Sequence, residues 1–442
     1  MKPAKRKEEK IMKLSLKNIG KVRQASVELN GITVMAGENN TGKSTIGRAL
    51  FALFRSFFNI NMRIEEERTN SIVNILKEPF AESISFFYHE PIDSVYIAQN
   101  IISSRDKYKN DEFLLKQDLI KLILNSVNMS PKQLESLISK CDIVSKIQIT
   151  LNISDKELLK LFLEKSLSAE FNGQFSNIFV EDGCEIKFGV KDKDITIFIK
   201  SNNVVDIENP NALSLSNEAI YMDDPFVMDD IKFMDYVSFT MATPKYFDHS
   251  SHLKSKLFSL EQNFNAIEEI IANNKFESIY NRISSVCEGD FVWNNISGFF
   301  GYKKQNTNKI LASKNLSTGL KTFVILKTLL KNGSMKQNSM LILDEPEIHL
   351  HPKWQLLFAE MIVLLHKELG MYILLNTHSP YFLDAIETYT EKYGIQEKCK
   401  YYLADSDEDF ASIIDVTDNT ELIYAKLATP LQQLENERYS YD

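Results

Sequence analysis

The chain has 442 residues, 51 lysines and arginines against 60 aspartates and glutamates, and a formal net charge of −9. With 44% hydrophobic and 25% charged residues it has an ordinary globular balance, which excludes a wholly disordered or collagen-like chain. No apolar run approaches the ~18 residues of a membrane span, and the acidic balance argues against a protein that coats nucleic acid, though not against a local basic groove. Four widely spaced cysteines, none in a Cys-x-x-Cys pair, read as thiols in a reducing cytoplasm.

In chain order, residues 1–11 form a basic, polar arm without the apolar stretch of a secretory signal. Strand-like alternation follows over 12–16 and 25–29, then a short buried strand over 31–36. A glycine-rich turn leads into a helix with Ile46, Ala49, Leu50, Leu53 and Phe57 at helical spacing. Residues 12–103 are expected to form the first part of a head. Amphipathic helices then mark an insertion over 104–168, one of them opened by Ser130-Pro131. A β lobe is predicted over 169–225, with a hairpin turn at Lys191–Lys193, and a helical segment over 226–300 with a stripe of Phe258, Leu260, Phe264, Ile267 and Ile270. From 301 to 420 strands and helices alternate, implying a mostly parallel sheet covered on both faces. Residues 421–442 read as a polar tail. The expected fold is therefore α/β: a mostly parallel sheet flanked by helices, with an antiparallel β lobe and a helical insertion.

Four segments carry chemistry. Gly37-Glu38-Asn39-Asn40-Thr41-Gly42-Lys43-Ser44, followed by Thr45, fits the phosphate-binding loop pattern and stands between a strand and a helix, as the mechanism requires. Its glycines let the backbone wrap a phosphate, its N–H groups and helix N-terminus face the oxygens, Lys43 adds a point charge, and Ser44 offers a hydroxyl to Mg²⁺. Met340 to Leu343 followed by Asp344, Glu345 and Pro346 is a buried strand ending in an acidic pair. Asp344 is placed to hold Mg²⁺ and Glu345 to polarise the attacking water. Asn315 to Lys321 opens a helix in which Ser317 and Gly319 form an anion-binding end; alone, it would read as a plain serine cap. His378, at the end of the buried run 371–379, can donate to a γ-phosphate.

In this order the segments resemble the ABC-type ATPase heads of the SMC and RecF group, and most of all the overcoming-lysogenization-defect (OLD-like) ATPases. The matching residues are Gly37, Asn39, Gly42, Lys43 and Ser44, Leu316-Ser317-Thr318-Gly319, the run Asp344 to Pro352 and Thr377-His378-Ser379-Pro380. The resemblance covers 12–100 and 180–390 and says little about the insertion. It implies an ATP- and Mg²⁺-dependent ATPase whose two copies meet head to tail around two ATP molecules. Lys43, Ser44, Asp344, Glu345 and His378 would act from one copy. Ser317 and Gly319, with Lys321 beside them, would close from the other, and Glu347 to Pro352 would lie between the two sites.

The segment 316–320 departs from the transporter signature at Leu320, which counts against a transporter. Gln99, after the apolar run Val95-Tyr96-Ile97, is the candidate for a glutamine loop, and the turn Asn18–Arg23 for adenine contact. His349 and His351 lack a third ligand, so packing roles are expected of them. The Toprim nuclease that follows the head in full-length OLD enzymes has no counterpart after His378, so an effector would be a separate chain. Two functions stay open. One is a cytoplasmic, self-associating ATPase that senses DNA or a phage protein and controls a nuclease or toxin, as in Septu- and PARIS-type antiphage systems. The other is a RecF/SMC-like repair ATPase binding duplex DNA directly. Neither requires a membrane.

Overall fold

The computed structural model describes residues 11–81, 93–125, 129–180, 183–231, 247–258, 279–294, 299–407 and 409–439. The basic arm, apart from Ile11, and the stripe residues Leu260, Phe264, Ile267 and Ile270 lie outside them. Two compact units are present: residues 59–162, and residues 1–58 with 163–442.

The larger unit begins with strands β1 (Met12–Ile19), β2 (Val22–Leu29) and β3 (Ile32–Gly37), then helix α1 (Lys43–Phe57). The smaller unit contains α2 (Ile60–Ala81), α3 (Ser94–Ser103), α4 (Arg105–Tyr108), α5 (Glu112–Leu124), α6 (Pro131–Lys140), α7 (Ile143–Asn152) and the first half of α8 (Asp155–Phe171). The larger unit resumes with β4 (Cys184–Val190), β5 (Lys193–Lys200), β6 (Asn203–Glu208), β7 (Ala219–Met222) and α9 (His249–Phe258). After β8 (Asp290–Asn294), β9 (Phe299–Lys303) and β10 (Ile310–Ala312) come α10 (Thr318–Lys331), β11 (Met340–Asp344), α11 (Pro352–Leu369) and β12 (Tyr372–Thr377). The described chain closes with α12 (Pro380–Lys392), β13 (Cys399–Asp407), β14 (Phe410–Asp415) and α13 (Glu421–Tyr439).

One eleven-stranded sheet has the order β6-β5-β4-β1-β2-β14-β13-β3-β12-β11-β7. From β13 to β7 all neighbours are parallel. Strands β3, β7 and β11 are buried almost throughout, the pattern of strands covered on both faces. The other half is antiparallel from β2 to β6, and β1 alternates buried and exposed positions. The hairpin between β4 and β5 turns at Lys191, whose φ is 56°. A second sheet, β10-β9-β8, is small and antiparallel. This is the α/β fold the alternating pattern predicts. Its core joins Ile32, Val34, Leu341, Leu343, Ile373 and Leu375 of the sheet to Phe323, Phe358 and Phe382 of the helices. Burying each such side chain is worth about 1.5–3 kcal/mol.

The helical unit starts at Asn59, well before the expected residue 104. Asn59 adopts φ 46°, which separates α1 from α2. Helices α2 and α3 then supply Ile72, Leu76, Ile97 and Ile101 to a core shared with Leu115, Leu119, Ile123, Leu134, Ile138, Ile147 and Leu151. Buried Arg68 donates to Asp155 at 2.6 Å and to the Ile153 carbonyl at 2.8 Å. The segment expected to be helical over 226–300 contains strand β8 and the start of β9. The expected polar tail carries helix α13, whose Ile423 is fully buried in the core of the larger unit. All four cysteines are free thiols. No helix among the described residues is long and apolar enough to cross a membrane.

Candidate functional site

Strand β3 delivers the chain into the phosphate-loop segment. A Cβ on Gly37 would sit 2.2 Å from the Ala404 carbonyl of β13, so close strand packing demands glycine there. Gly42 caps α1 at φ 80°, and its absent Cβ would meet Val22 at 2.8 Å. Between them Glu38, Asn39 and Asn40 are exposed, Asn40 in the left-handed region at φ 62°. Thr41 donates its hydroxyl to the Glu38 carbonyl at 2.7 Å, which closes the loop on itself.

Lys43, the first residue of α1, is 4% exposed. Its Nζ donates to the carbonyls of Gly37 at 2.9 Å and Glu38 at 2.7 Å. Burial pushes the ammonium below the usual lysine range, against the opposing pull of Glu345, Asp344, Glu347 and Glu38. Ser44 and Thr45 are half-buried on the first turn of α1. No acidic side chain occupies that turn, so the positive helix end is free to meet an anion.

Asp344 ends β11, and both its oxygens accept hydrogen bonds: Oδ2 from the Tyr221 hydroxyl at 2.8 Å and Oδ1 from Asn376 Nδ2 at 3.0 Å. Glu345 follows with φ 49°, a costly conformation for a non-glycine residue, held by its amide donating to the Asn376 carbonyl at 2.9 Å. That turn presents its carboxylate 3.8 Å from Lys43 Nζ and 3.4 Å from His378 Nδ1. Strands β3, β11 and β12 are neighbours in the sheet, so Lys43, Asp344, Glu345 and His378 gather at adjacent strand ends. Buried Glu347 accepts a hydrogen bond from Thr377 Oγ1, while its Oε2 lacks a partner among the described residues. Burial raises its pKa, and the Thr377 hydrogen bond offsets part of that rise.

Behind Asp344, Tyr221 is fully buried on β7 and stacks on His249, with centroids 4.3 Å apart and planes 24° from parallel. His249 donates from Nδ1 to Glu170 at 2.7 Å and from Nε2 to Asp223 at 2.9 Å. Burial works against charge on the imidazole, but the two carboxylates outweigh it and raise its pKa to about 10. For Glu170 burial is the larger effect and its pKa rises. For Asp223 the hydrogen bonds prevail over burial and its pKa falls.

Ser317 stands before α10, exposed, with a side chain that makes no cap bond. Gly319 is buried, and a Cβ there would lie 2.9 Å from the His349 carbonyl and 3.1 Å from the Trp354 ring. The segment after Glu345 therefore packs directly on the start of α10. His349 meets the Phe226 ring edge-on, and His351 caps α11. Among the described residues no group of three His, Cys, Asp or Glu side chains could hold a metal ion.

The two remaining expected site residues are Lys321 and Gln99. Lys321 is 1% exposed, ion-paired with Asp229 and 4.8 Å from the Phe226 ring centroid. Its ammonium thus has partners within its own chain. Gln99 is exposed on α3, in the helical unit rather than the unit that holds the phosphate loop. The run Val95–Ile97 is helical because Asp93 caps α3 by accepting from the Tyr96 amide. The turn Asn18–Arg23 connects β1 to β2, and its Gly20 amide donates to Phe175.

Sequence reasoning missed Tyr221 and His249. Tyr221 lies 123 positions from Asp344, and only the pairing of β7 with β11 brings them together.

The AAA ATPase domain family matches residues 10–383. No curated protein matches the chain. Among solved structures, an SMC head bound to the C-terminal winged-helix domain of ScpA is similar at 11% identity and TM-score 0.43, over 93% of this chain and 99% of that one. The SMC head domain from Thermotoga maritima gives 11% identity and TM-score 0.36, over 92% and 98%. An ATP-binding cassette of an ABC transporter in its ADP conformation gives 10% and 0.32, over 94% and 98%.

Proposed function

The chain belongs to the AAA ATPase domain family and is an ATPase, and on that premise we propose that it hydrolyses ATP at a site completed by a second copy of itself. The observation that carries this reading is an asymmetry. Lys43, Glu345 and His378 converge at neighbouring strand ends, whereas Ser317 is exposed and its hydroxyl caps nothing.

In this mechanism ATP enters the loop over α1, and Lys43 exchanges the carbonyls of Gly37 and Glu38 for phosphate oxygens. Glu345 accepts a proton from water as the water oxygen attacks the γ-phosphorus. The bond to the bridging oxygen breaks, and ADP and phosphate result. His378 donates to the γ-phosphate from the same subunit, and Ser317 and the Gly319 N–H approach it from the other. A hydroxyl and a carboxylate are the hard oxygen donors that Mg²⁺ prefers, and Asp344 is oriented by two hydrogen bonds, so Ser44 and Asp344 fit that ion. When bound, Mg²⁺ would neutralise charge on the phosphate oxygens.

ATP thereby joins the copies and hydrolysis parts them, a two-state device suited to controlling another protein. We take that protein to be a separate nuclease or toxin, and the setting to be cytoplasmic antiphage defence. The resemblance of the motif set to standalone defence ATPases supports this.

The test uses the full chain. Ser317→Arg should retain single-copy ATP binding and lose hydrolysis. Lys43→Ala should lose binding, and mixing the two variants should restore activity through one intact composite site. No recovery on mixing, or full turnover by a chain that stays monomeric with ATP, would overturn the reading. Steep, salt-sensitive, ATP-dependent binding of duplex DNA by the chain alone would favour a repair role instead.

A further inference from the structure

We infer that Tyr221 is a positioning residue for the Asp344 carboxylate, held from behind by the stacked ring of His249. This rests on the reading of Asp344 as a group that would take Mg²⁺.

Three observations converge. The Tyr221 hydroxyl donates to Asp344 Oδ2 at 2.8 Å, so one carboxylate oxygen has its rotation fixed by a fully buried phenol. The phenol ring is itself fixed. It stacks on His249, whose two ring nitrogens are gripped by Glu170 and Asp223, and Phe51 packs edge-on against both rings at 6.2 Å. The helix that begins with Lys43 also leaves room for the phenol. Gly47 lies inside α1, where glycine costs about 1 kcal/mol relative to alanine. A Cβ there would sit 3.0 Å from the Tyr221 hydroxyl oxygen and 3.2 Å from Ile342. The glycine that weakens the helix thus preserves the hydrogen bond between β7 and β11.

A buried tyrosine must place its hydroxyl somewhere, and the nearest carboxylate would serve that need alone. Positioning predicts more. Removal of the donor should loosen Asp344 without disturbing the phosphate loop. Outer partners of metal-binding carboxylates affect metal affinity by about 10–100-fold.

The experiment measures equilibrium ATP binding by the full chain, first in EDTA and then across a Mg²⁺ titration. Tyr221→Phe keeps the stack and removes the hydroxyl. Its affinity in EDTA should stay within about twofold of the parent, while the Mg²⁺ concentration for half-maximal enhancement of ATP binding should rise about tenfold. Gly47→Ala, which crowds the hydroxyl, should shift the Mg²⁺ curve in the same direction and serves if Tyr221→Phe does not fold. Superimposable Mg²⁺ curves overturn the inference. So does an equal loss with and without Mg²⁺, which would mean a purely structural role. Lys43→Ala is the control: if it binds ATP like the parent, the underlying site reading fails, and this inference fails with it.

Discussion

The site end of the larger unit and the core of the helical unit bury different kinds of residue. The helical core is built from aliphatic side chains such as Leu115, Leu119, Leu134 and Leu151, and its deeply buried Arg68 donates from Nη2 to Asp155 and the Ile153 carbonyl, leaving Nε without a partner among the described residues. At the sheet ends, Lys43, Glu347, Asn376 and Thr377 are buried together, and Glu347 Oε2 and Asn376 Oδ1 have no hydrogen-bond partner among the described residues. An unpartnered buried polar atom costs about 1–3 kcal/mol, and Glu345 adds backbone strain. Such costs persist where an arrangement serves something other than stability. One unpartnered atom occurs among the described residues of the helical unit too, at Arg68 Nε; what sets the sheet ends apart is that several polar residues are buried side by side there next to a strained Glu345, so the helical core reads as packing and the sheet ends as chemistry.

That contrast can be broken at either region. The largest effect is expected at Glu345. Glu345→Gln should bind ATP with near-parental affinity yet hydrolyse it about 10²–10⁴-fold more slowly, as single-turnover assays would reveal. Normal turnover would remove Glu345 from the reaction.

Leu119→Ala should do the reverse. A cavity in the helical core should cost about 2–5 kcal/mol of stability, read by denaturant unfolding of that unit, with ATP affinity unchanged. A weakened nucleotide affinity would show that the two regions are not separable in this way.

The smallest effect concerns His249. Its folded pKa of about 10 exceeds the ordinary 6.5. Its charge therefore contributes stability that is fully present below about pH 6.5 and lost as pH rises through about 10. Unfolding midpoints of the parent should fall across that window more steeply than those of His249→Gln. Parallel curves would mean the imidazole is not held charged between Glu170 and Asp223.

Legibility followed the range of the physics involved. Gly37, Gly42, Lys43 and Ser44 could be read because a strand, a tight turn and a helix N-terminus fit within one short segment. The pair Asp344-Glu345 stood out because it ends a continuous apolar run, and Thr377-His378 because it follows one after a single Asn376. The start of the helical unit was not legible: a single asparagine at φ 46° breaks the helical run, and nothing in its immediate pattern marks it. The helix that carries Gln99 was not legible because a short apolar run fits a strand or a buried helix turn equally well, and the Asp93 cap decided between them. The pairing of Lys321 with Asp229 was not legible either, because Asp229 lies far back in the chain.

The sequence by itself determined the strand-loop-helix elements, the acidic strand end and the α/β alternation, since these depend on neighbours a few residues apart. Tertiary structure alone decided which strand ends lie side by side. It joined Tyr221 to Asp344 and His378 to Glu345, and set His249 between two carboxylates. For the first two pairs the reason is sheet order, since strands remote in the chain become neighbours through hydrogen-bond pairing; His249 and Glu170 meet as residues of two helices, α9 and α8. The charge environment of each group, and hence its chemistry, is fixed only once these contacts exist.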